Sequence, residues 1–159
     1  MQVDPGRFLR MIAVLGAICS YATIVLGGTV RGMDAGLACP DWPLCHGSVV
    51  PNLADPLVAV EYAHRLAAAL TSLFLLLTFL VCALWFRADL WLLSLSFAAL
   101  AILATQVVFG ALTITSSLDW VIVTVHLALG TATFATALIV ALLSLLRLPP
   151  RPVVEPSRD

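Results

Sequence analysis

The chain has 159 residues, of which 62% are apolar and only 11% charged, and its mean hydropathy is +1.07. This composition excludes an ordinary soluble domain and indicates an integral membrane protein surrounded by membrane lipid. The net charge of −1 says little about partners, and no nucleic-acid partner is expected.

Four charge-free stretches are long enough to cross a hydrocarbon core of ~30 Å as helices that rise ~1.5 Å per residue. The stretches cover residues 11–30, 66–86, 90–118 and 120–146. Because a chain in lipid must satisfy its backbone hydrogen bonds internally, each stretch predicts one transmembrane helix. With their flanking residues, the predicted helices cover about 8–30, 61–86, 90–115 and 120–147.

The first stretch follows Arg7 and Arg10, as the apolar core of a signal peptide would. The stretch is too long for such a core, however, and the segment 27–31 offers no cleavage site of the small-x-small kind. We therefore expect it to stay in the protein as helix 1.

Short connections join helices 2 and 3 at residues 87–89 and helices 3 and 4 near residues 116–119. Connections of this length force neighbouring helices to be antiparallel. The predicted fold class is an all-α membrane protein, with one antiparallel four-helix bundle as a single domain over residues 1–148. The prolines of the segment 149–159 cannot continue a helix, so a disordered cytoplasmic tail is predicted there.

The arginines predict the orientation of the bundle, because cytoplasmic segments of membrane proteins carry an excess of positive charge. Most of them precede helix 1, lie between helices 2 and 3, or follow helix 4: Arg7, Arg10, Arg87, Arg147, Arg151 and Arg158. Both termini of this multi-pass protein of the cell membrane are therefore expected in the cytoplasm. The long connection of residues 31–60 is expected on the outer side, although it carries Arg31.

Two histidines lie at matching depths in helices of the same direction, His64 in helix 2 and His126 in helix 4. Ionisable side chains in spanning helices are costly and usually mark a function. Small residues follow at three or four positions, on the same helix face, and would leave space for a flat macrocycle: Ala67, Ala68 and Gly130. The pair therefore predicts a haem with two axial histidines. Small residues also permit close helix packing, and a single histidine also fits an interfacial role.

Glu61 precedes His64 by three positions, which puts its carboxylate on the same helix face and closer to water. A favourable interaction with the helix dipole is the structural alternative. Over a haem edge, the carboxylate would be a candidate acid or base, or would stabilise positive charge on a reacting carbon. Zinc bound by Glu61, His64 and His126 is a further alternative, because three such side chains can hold zinc.

Three other polar side chains are candidates for haem contacts. Arg31 and Arg65 lie near the outer ends of helices 1 and 2, where they would be placed to pair with propionates. Gln106 is the strongly polar side chain of helix 3. It is a candidate haem contact, and an interhelical hydrogen bond is the alternative.

Two cysteines, Cys39 and Cys45, lie six positions apart in the predicted outer loop. An extracytoplasmic location is oxidising and favours a disulfide. Two interpretations of this disulfide stay open, a structural staple for the loop and an exchangeable dithiol near the site. Cys19 and Cys82, within helices, are interpreted as small apolar residues, and His46 as a solvated loop residue.

The motifs together closely resemble one family. They are Gly28-Thr29-Val30-Arg31, the run from Gly36 to Gly47 with Cys39-Pro-Asp-Trp-Pro-Leu-Cys45, Glu61-Tyr-Ala-His64-Arg65, Gln106 with Gly110-Ala-Leu-Thr113, and Val125-His126-Leu127. This set resembles the amino-terminal, catalytic half of the haem A synthases. The resemblance runs from helix 1 through helix 4 and covers nearly the whole chain.

The resemblance implies that His64 and His126 are axial ligands of the haem iron, that Glu61 is the catalytic carboxylate, and that Cys39 and Cys45 form a disulfide. It implies an oxidoreductase that converts the methyl at porphyrin position 8 of its substrate, haem O, to the formyl group of haem A for terminal oxidases. The bound group would be haem b, substrate haem O, or both. Typical members have two such bundles in tandem, whereas this chain has one.

We expect a second copy of the chain to take the place of the second bundle. A homodimer with twofold symmetry would bring two equivalent haem sites next to each other. In that homodimer, haem O would bind between His64 and His126, and electrons would leave towards a haem in the partner subunit. Contacts with haem O synthase or a terminal oxidase are further expectations. Two other functions stay open: a non-catalytic haem carrier or oxidase assembly subunit, and a bis-histidine b-type membrane cytochrome.

Overall fold

The computed structural model describes residues 4–147, which form four α-helices. They are α1, Pro5–Gly32; α2, Pro56–Trp85; α3, Leu90–Thr115; and α4, Trp120–Arg147. Each helix is long and apolar enough to cross a membrane, so the chain is an all-α, multi-pass membrane protein. The tail predicted over residues 149–159 lies outside the described residues.

Helix α2 begins at Pro56, earlier than the predicted start near Glu61. The carboxylate of Asp55 accepts a hydrogen bond from the backbone N–H of Leu57, and proline is favoured in the first turn of a helix. This cap sets the start of the helix, whereas the hydropathy of the sequence reveals only its apolar part. Glu61 and His64 therefore lie inside a formed helix.

The four helices form a ring, in which α1 packs against α2 and α4, and α3 packs against the same two helices. Helices α2 and α4, which carry the two histidines, are diagonal to each other. The middle of the bundle is a core of mostly small side chains: Ala13, Ala17, Leu75, Ala99, Leu103, Ala137, Val140 and Ala141. Small side chains let the helices approach closely.

The end of the bundle away from the histidines is packed with larger apolar side chains. The cluster there consists of Leu9, Ile12, Val81, Cys82 and Leu92. An ion pair between Arg147 and Asp89, with an N–O distance of 3.1 Å, joins the end of α4 to the α2–α3 connection. Large apolar side chains therefore cluster at one end of the bundle, whereas His64 and His126 lie towards the other.

The loop of residues 33–55, between α1 and α2, folds back onto the end of the bundle that carries the histidines. Its disulfide joins Cys39 to Cys45 with an Sγ–Sγ distance of 2.03 Å, and both cysteines are buried against Val58 of α2. A methyl group on Gly36 would lie 3.1 Å from Cδ2 of Leu118, in the α3–α4 turn. The loop therefore contacts α2 as well as the opposite helix pair.

Candidate functional site

His64 lies eight residues after the start of α2 at Pro56, with its ring against α1. Its Nδ1 is 3.0 Å from the carbonyl oxygen of Thr23. Because a carbonyl can only accept, Nδ1 carries the hydrogen, and the lone pair of the neutral ring lies on Nε2. A methyl group on Gly27 would lie 3.0 Å from Cε1 of the ring, so this glycine gives the imidazole its room.

His126 lies six residues after the start of α4 at Trp120 and has the same kind of surroundings on α3. Its Nδ1 is 3.2 Å from the carbonyl oxygen of Gln106, which again leaves the lone pair on Nε2. A methyl group on Gly110 would lie 3.1 Å from Cε1 of His126. Both histidines are partly buried, so each ring is held in one orientation by a neighbouring helix.

The two histidine environments repeat one pattern on two helix pairs. In each pair, the carbonyl that accepts from the histidine precedes the glycine under the ring by four residues. Residues four apart lie on one helix face, so this spacing builds the same cradle twice. Thr23 and Gly27 were not predicted from the sequence as site residues. The signal that would have found them is the spacing of Thr23 and Gly27, which matches that of Gln106 and Gly110.

The donor atoms of this site fit a haem better than a zinc ion. His64 and His126 would hold a haem as its two iron ligands, and the two Nε2 lone pairs are of the right kind for this. Within residues 4–147, no three His, Cys, Asp or Glu side chains come together as metal ligands. The alternative zinc centre of Glu61, His64 and His126 is therefore not formed.

Gln106 extends its amide towards α4, beside His126. A methyl group on Gly130 would lie 2.9 Å from Nε2 of Gln106, so the space predicted beside this glycine holds the amide. The Oε1 atom of Gln106 is buried and has no donor among residues 4–147. A buried acceptor without a donor costs ~1–3 kcal/mol, so a bound molecule that donates a hydrogen bond would stabilise this side chain.

Glu61 is buried, with 6% of its surface exposed, and forms an ion pair with Arg65, which lies one turn further along α2. The Nε–H of Arg65 donates to its Oε1 at 2.9 Å. An ion pair with little solvent exposure keeps a defined geometry. If one partner moved away, the charge of the other would remain buried without a counter-charge. The carboxylate three residues before His64 is therefore fixed by Arg65.

The rest of the Arg65 guanidinium faces the disulfide loop. Its Nη1 donates to the carbonyls of Asp41 and Leu44, and its Nη2 donates to the carbonyl of Cys39. Four of the five N–H groups of Arg65 therefore donate within the protein, and its contact with a haem propionate stays a prediction. Arg31, predicted for the same role, is exposed and pairs with Asp34 at 2.9 Å.

Asp41 shapes the same loop with its side chain. Its Oδ1 and Oδ2 accept from the backbone N–H groups of His46 and Gly47, at 2.6 and 2.8 Å. The hydrogen bond from Gly47, together with that from His46, holds the pKa of Asp41 below its ordinary value of 3.8. The imidazole of His46, interpreted above as solvated, is exposed and also lies 2.9 Å from the carbonyl of Ala38.

Asp41→Asn is expected to lower the melting temperature at neutral pH, by an amount that shrinks in acid. Because the folded pKa is depressed, the carboxylate stabilises the protein fully above 3.8, and this stabilisation is lost as the pH falls through the lower folded value. Thermal unfolding of wild type and variant between about pH 3 and about pH 7 measures the difference. Asp34→Asn, at an exposed carboxylate, is the control. A difference that stays constant with pH would contradict the assignment.

Several known proteins are similar to parts of this chain. A family model described as "Cytochrome oxidase assembly protein" matches residues 10–59, which include most of α1 and the disulfide loop. A heme A synthase of Symbiobacterium thermophilum is 39% identical over 108 residues, which cover 60% of this chain and 31% of that protein. A heme A synthase of Exiguobacterium sibiricum is 26% identical over 138 residues, 84% of this chain and 46% of that protein.

A relative from Natronomonas pharaonis carries another name, Protoheme IX farnesyltransferase 1. It is 35% identical over 119 residues, which cover 75% of this chain and 24% of that protein. The matched part of the chain thus covers less than half of each of these three relatives. The matches confirm the resemblance to haem A synthases that the motifs predicted.

Proposed function

We propose that the chain is a haem A synthase-like oxidoreductase, which converts the methyl group at position 8 of haem O to a formyl group in haem A biosynthesis. The observation that carries the proposal is a buried glutamate, Glu61, one helical turn before a histidine whose Nε2 is free to bind iron. The relatives named heme A synthase support the same reaction. The match to cytochrome oxidase assembly proteins supports delivery of the product to a terminal oxidase.

His64 and His126 would hold the substrate haem through Nε2, since the Nδ1–H of each ring donates to a helix carbonyl. Such contacts behind a ligand fix the tautomer and orientation of the ring before the metal binds. The amide of Gln106 would contact the haem edge, and the exposed guanidinium of Arg31 would pair with a propionate. When bound, the haem supplies the redox-active iron and the conjugated ring that carries the reacting methyl.

Glu61 would act on the reacting carbon and on water. Conversion of a methyl to a formyl group takes up one water oxygen and releases protons and electrons, four of each, to a one-electron acceptor. The Glu61 carboxylate would stabilise positive charge that develops at the carbon, or accept the proton of the water that adds there. Its burial strengthens the first effect, because charges interact more strongly away from bulk water.

The site would lie towards the outer side of the cell membrane. Arg7, Arg10 and Arg87 support a cytoplasmic location of the opposite end of the bundle, because cytoplasmic segments usually carry an excess of positive charge. The contact of Gly36 with Leu118 at one end and the ion pair of Arg147 at the other support an antiparallel order of the helices. An outer location of loop 33–55 agrees with its disulfide.

A homodimer would provide the electron acceptor. A second copy of the chain would contribute a second histidine pair, and its haem b would receive the electrons. A haem O synthase is the expected neighbour, since it supplies the substrate. The related segment in a protein named protoheme IX farnesyltransferase supports this pairing of reactions.

Expression of the chain with a haem O synthase, in a host without its own haem A synthase, is expected to give haem A. Mass spectrometry of the extracted haems detects the product, and the same host without the chain should contain only haems B and O. A folded, haem-bound protein that yields no haem A would reject the enzyme. That outcome would favour the non-catalytic haem carrier, or a b-type cytochrome if the bound haem is reduced and reoxidised reversibly.

A further inference from the structure

Arg65 joins two parts of the site that come from different segments of the chain. Its Nε donates to Oε1 of Glu61, on the same helix, at 2.9 Å. Its terminal nitrogens donate to backbone carbonyls of the loop at 2.6–2.8 Å, those of Cys39, Asp41 and Leu44. All three carbonyls belong to the ring of residues 39–45 that the disulfide closes.

The convergence of these carbonyls on one cation depends on the closed ring. Cys39 and Leu44 stand near opposite ends of the segment, and the disulfide holds its terminal Cα atoms 4.7 Å apart. Without this link, bringing the two ends together would cost conformational entropy. The guanidinium is planar and presents its donors in a fixed fork, so its position follows the relative positions of its acceptors.

Glu61 depends on the same guanidinium. Its side chain is 7% exposed, that of Arg65 is 15% exposed, and no other side chain of residues 4–147 donates to this carboxylate. A buried carboxylate that loses its hydrogen-bond donor and its counter-charge is strongly destabilised. Displacement of Arg65 would therefore drive Glu61 out of its present position.

We propose that Arg65 is a positioning residue that couples the state of the Cys39–Cys45 disulfide to the position of Glu61. The closed ring holds Arg65 in line with the carboxylate. A dithiol reductant gives two electrons and two protons to the disulfide, which becomes two thiols, while the dithiol itself becomes a disulfide. The opened ring then releases Arg65, and Glu61 loses its anchor. The functional meaning of this coupling rests on the role proposed for Glu61 above.

Coupling between two sites is reciprocal, so the effect can be measured at the disulfide. If the closed ring anchors Arg65, then Arg65 stabilises the closed ring, and Glu61 does so through Arg65. Arg65→Gln is expected to make the disulfide about tenfold easier to reduce, a shift of ~30 mV towards less negative potentials. Glu61→Ala is expected to give about a threefold effect, and the double variant should behave like Arg65→Gln alone.

The test is a redox titration of the purified, full-length protein in mixtures of reduced and oxidised dithiothreitol. Alkylation of free thiols, followed by mass spectrometry of the peptide that contains Cys39 and Cys45, gives the reduced fraction at each potential. Arg147→Gln removes an arginine–aspartate pair at the other end of the bundle and is the matched control, with an unchanged potential expected. If Arg65 were only a structural residue, Arg65→Gln would lower the melting temperature. The shift that Glu61→Ala causes in the redox potential of the disulfide would then be the same with and without Arg65.

Two results would overturn the coupling: a wild-type potential in Arg65→Gln, or an effect of Glu61→Ala that is equally large with and without Arg65. If Arg65→Gln does not fold, Arg65→Lys replaces it, since lysine keeps the charge but offers a single nitrogen. In Arg65→Lys, the redox potential of the disulfide should lie between the wild-type value and the value expected when all hydrogen bonds of Arg65 are lost. These outcomes are distinct from failure of the proposed function, because haem A formation is measured separately and does not enter the titration.

Discussion

Replacement of His64 or His126 by alanine is expected to lower the haem content of the purified protein by more than about tenfold. Each ring is fixed through Nδ1 by a helix carbonyl, so its Nε2 is aimed before the haem binds. A water molecule in the vacated position would be a weaker ligand than imidazole, and the iron would lose the low-spin state that two imidazoles produce. Absorption spectra of the oxidised and reduced protein, scaled to protein concentration, measure both effects.

His46→Ala is the matched control, because this third histidine is exposed in the loop and contacts the carbonyl of Ala38. It should keep the wild-type haem content and spectrum. An unchanged spectrum in His64→Ala or in His126→Ala would reject that residue as a ligand. A loss of spectrum in one variant and not in the other would indicate a single protein ligand and would rule out the bis-histidine site.

The transmembrane helices were predictable because hydropathy is carried by the side chains themselves. The start of α2 was not, since a charge-free run does not detect the cap that Asp55 and Pro56 form before it. The sequence also indicated the disulfide, which the structure contains, because two cysteines six positions apart lie in a loop that was predicted to be extracytoplasmic.

The partners of the site residues were harder to predict, because most of them are backbone atoms. The acceptors of His64 and His126 are carbonyls of Thr23 and Gln106, and any residue type supplies a carbonyl. The same holds for Arg65, whose surroundings depend on how the loop closes. Its charge and position near the outer end of α2 fit a propionate equally well, so the sequence could not distinguish a haem contact from an anchor of the loop.

Glu61→Gln is expected to leave haem binding intact and to lower haem A formation by a factor of about 10²–10⁴, the usual contribution of a positioned acid or base. Glutamine keeps the shape of the side chain and an oxygen that can accept from Arg65, so the ion-pair site should hold its geometry. It lacks the negative charge that would stabilise a cationic carbon and the basicity that would take a proton from water. The ratio of haem A to haem O in extracts, measured by mass spectrometry, reports the loss.

Asp55→Asn is the control for this variant, because it removes a carboxylate from the same helix while asparagine caps a helix about as well as aspartate. Its haem A ratio should equal that of wild type. Full activity in Glu61→Gln would remove the carboxylate from the mechanism and leave Glu61 as the partner of Arg65. If Glu61→Gln lost both haem and product, the pair of Glu61 and Arg65 would instead be part of the haem-binding site. The haem content of the variant therefore distinguishes a defect in chemistry from a defect in binding.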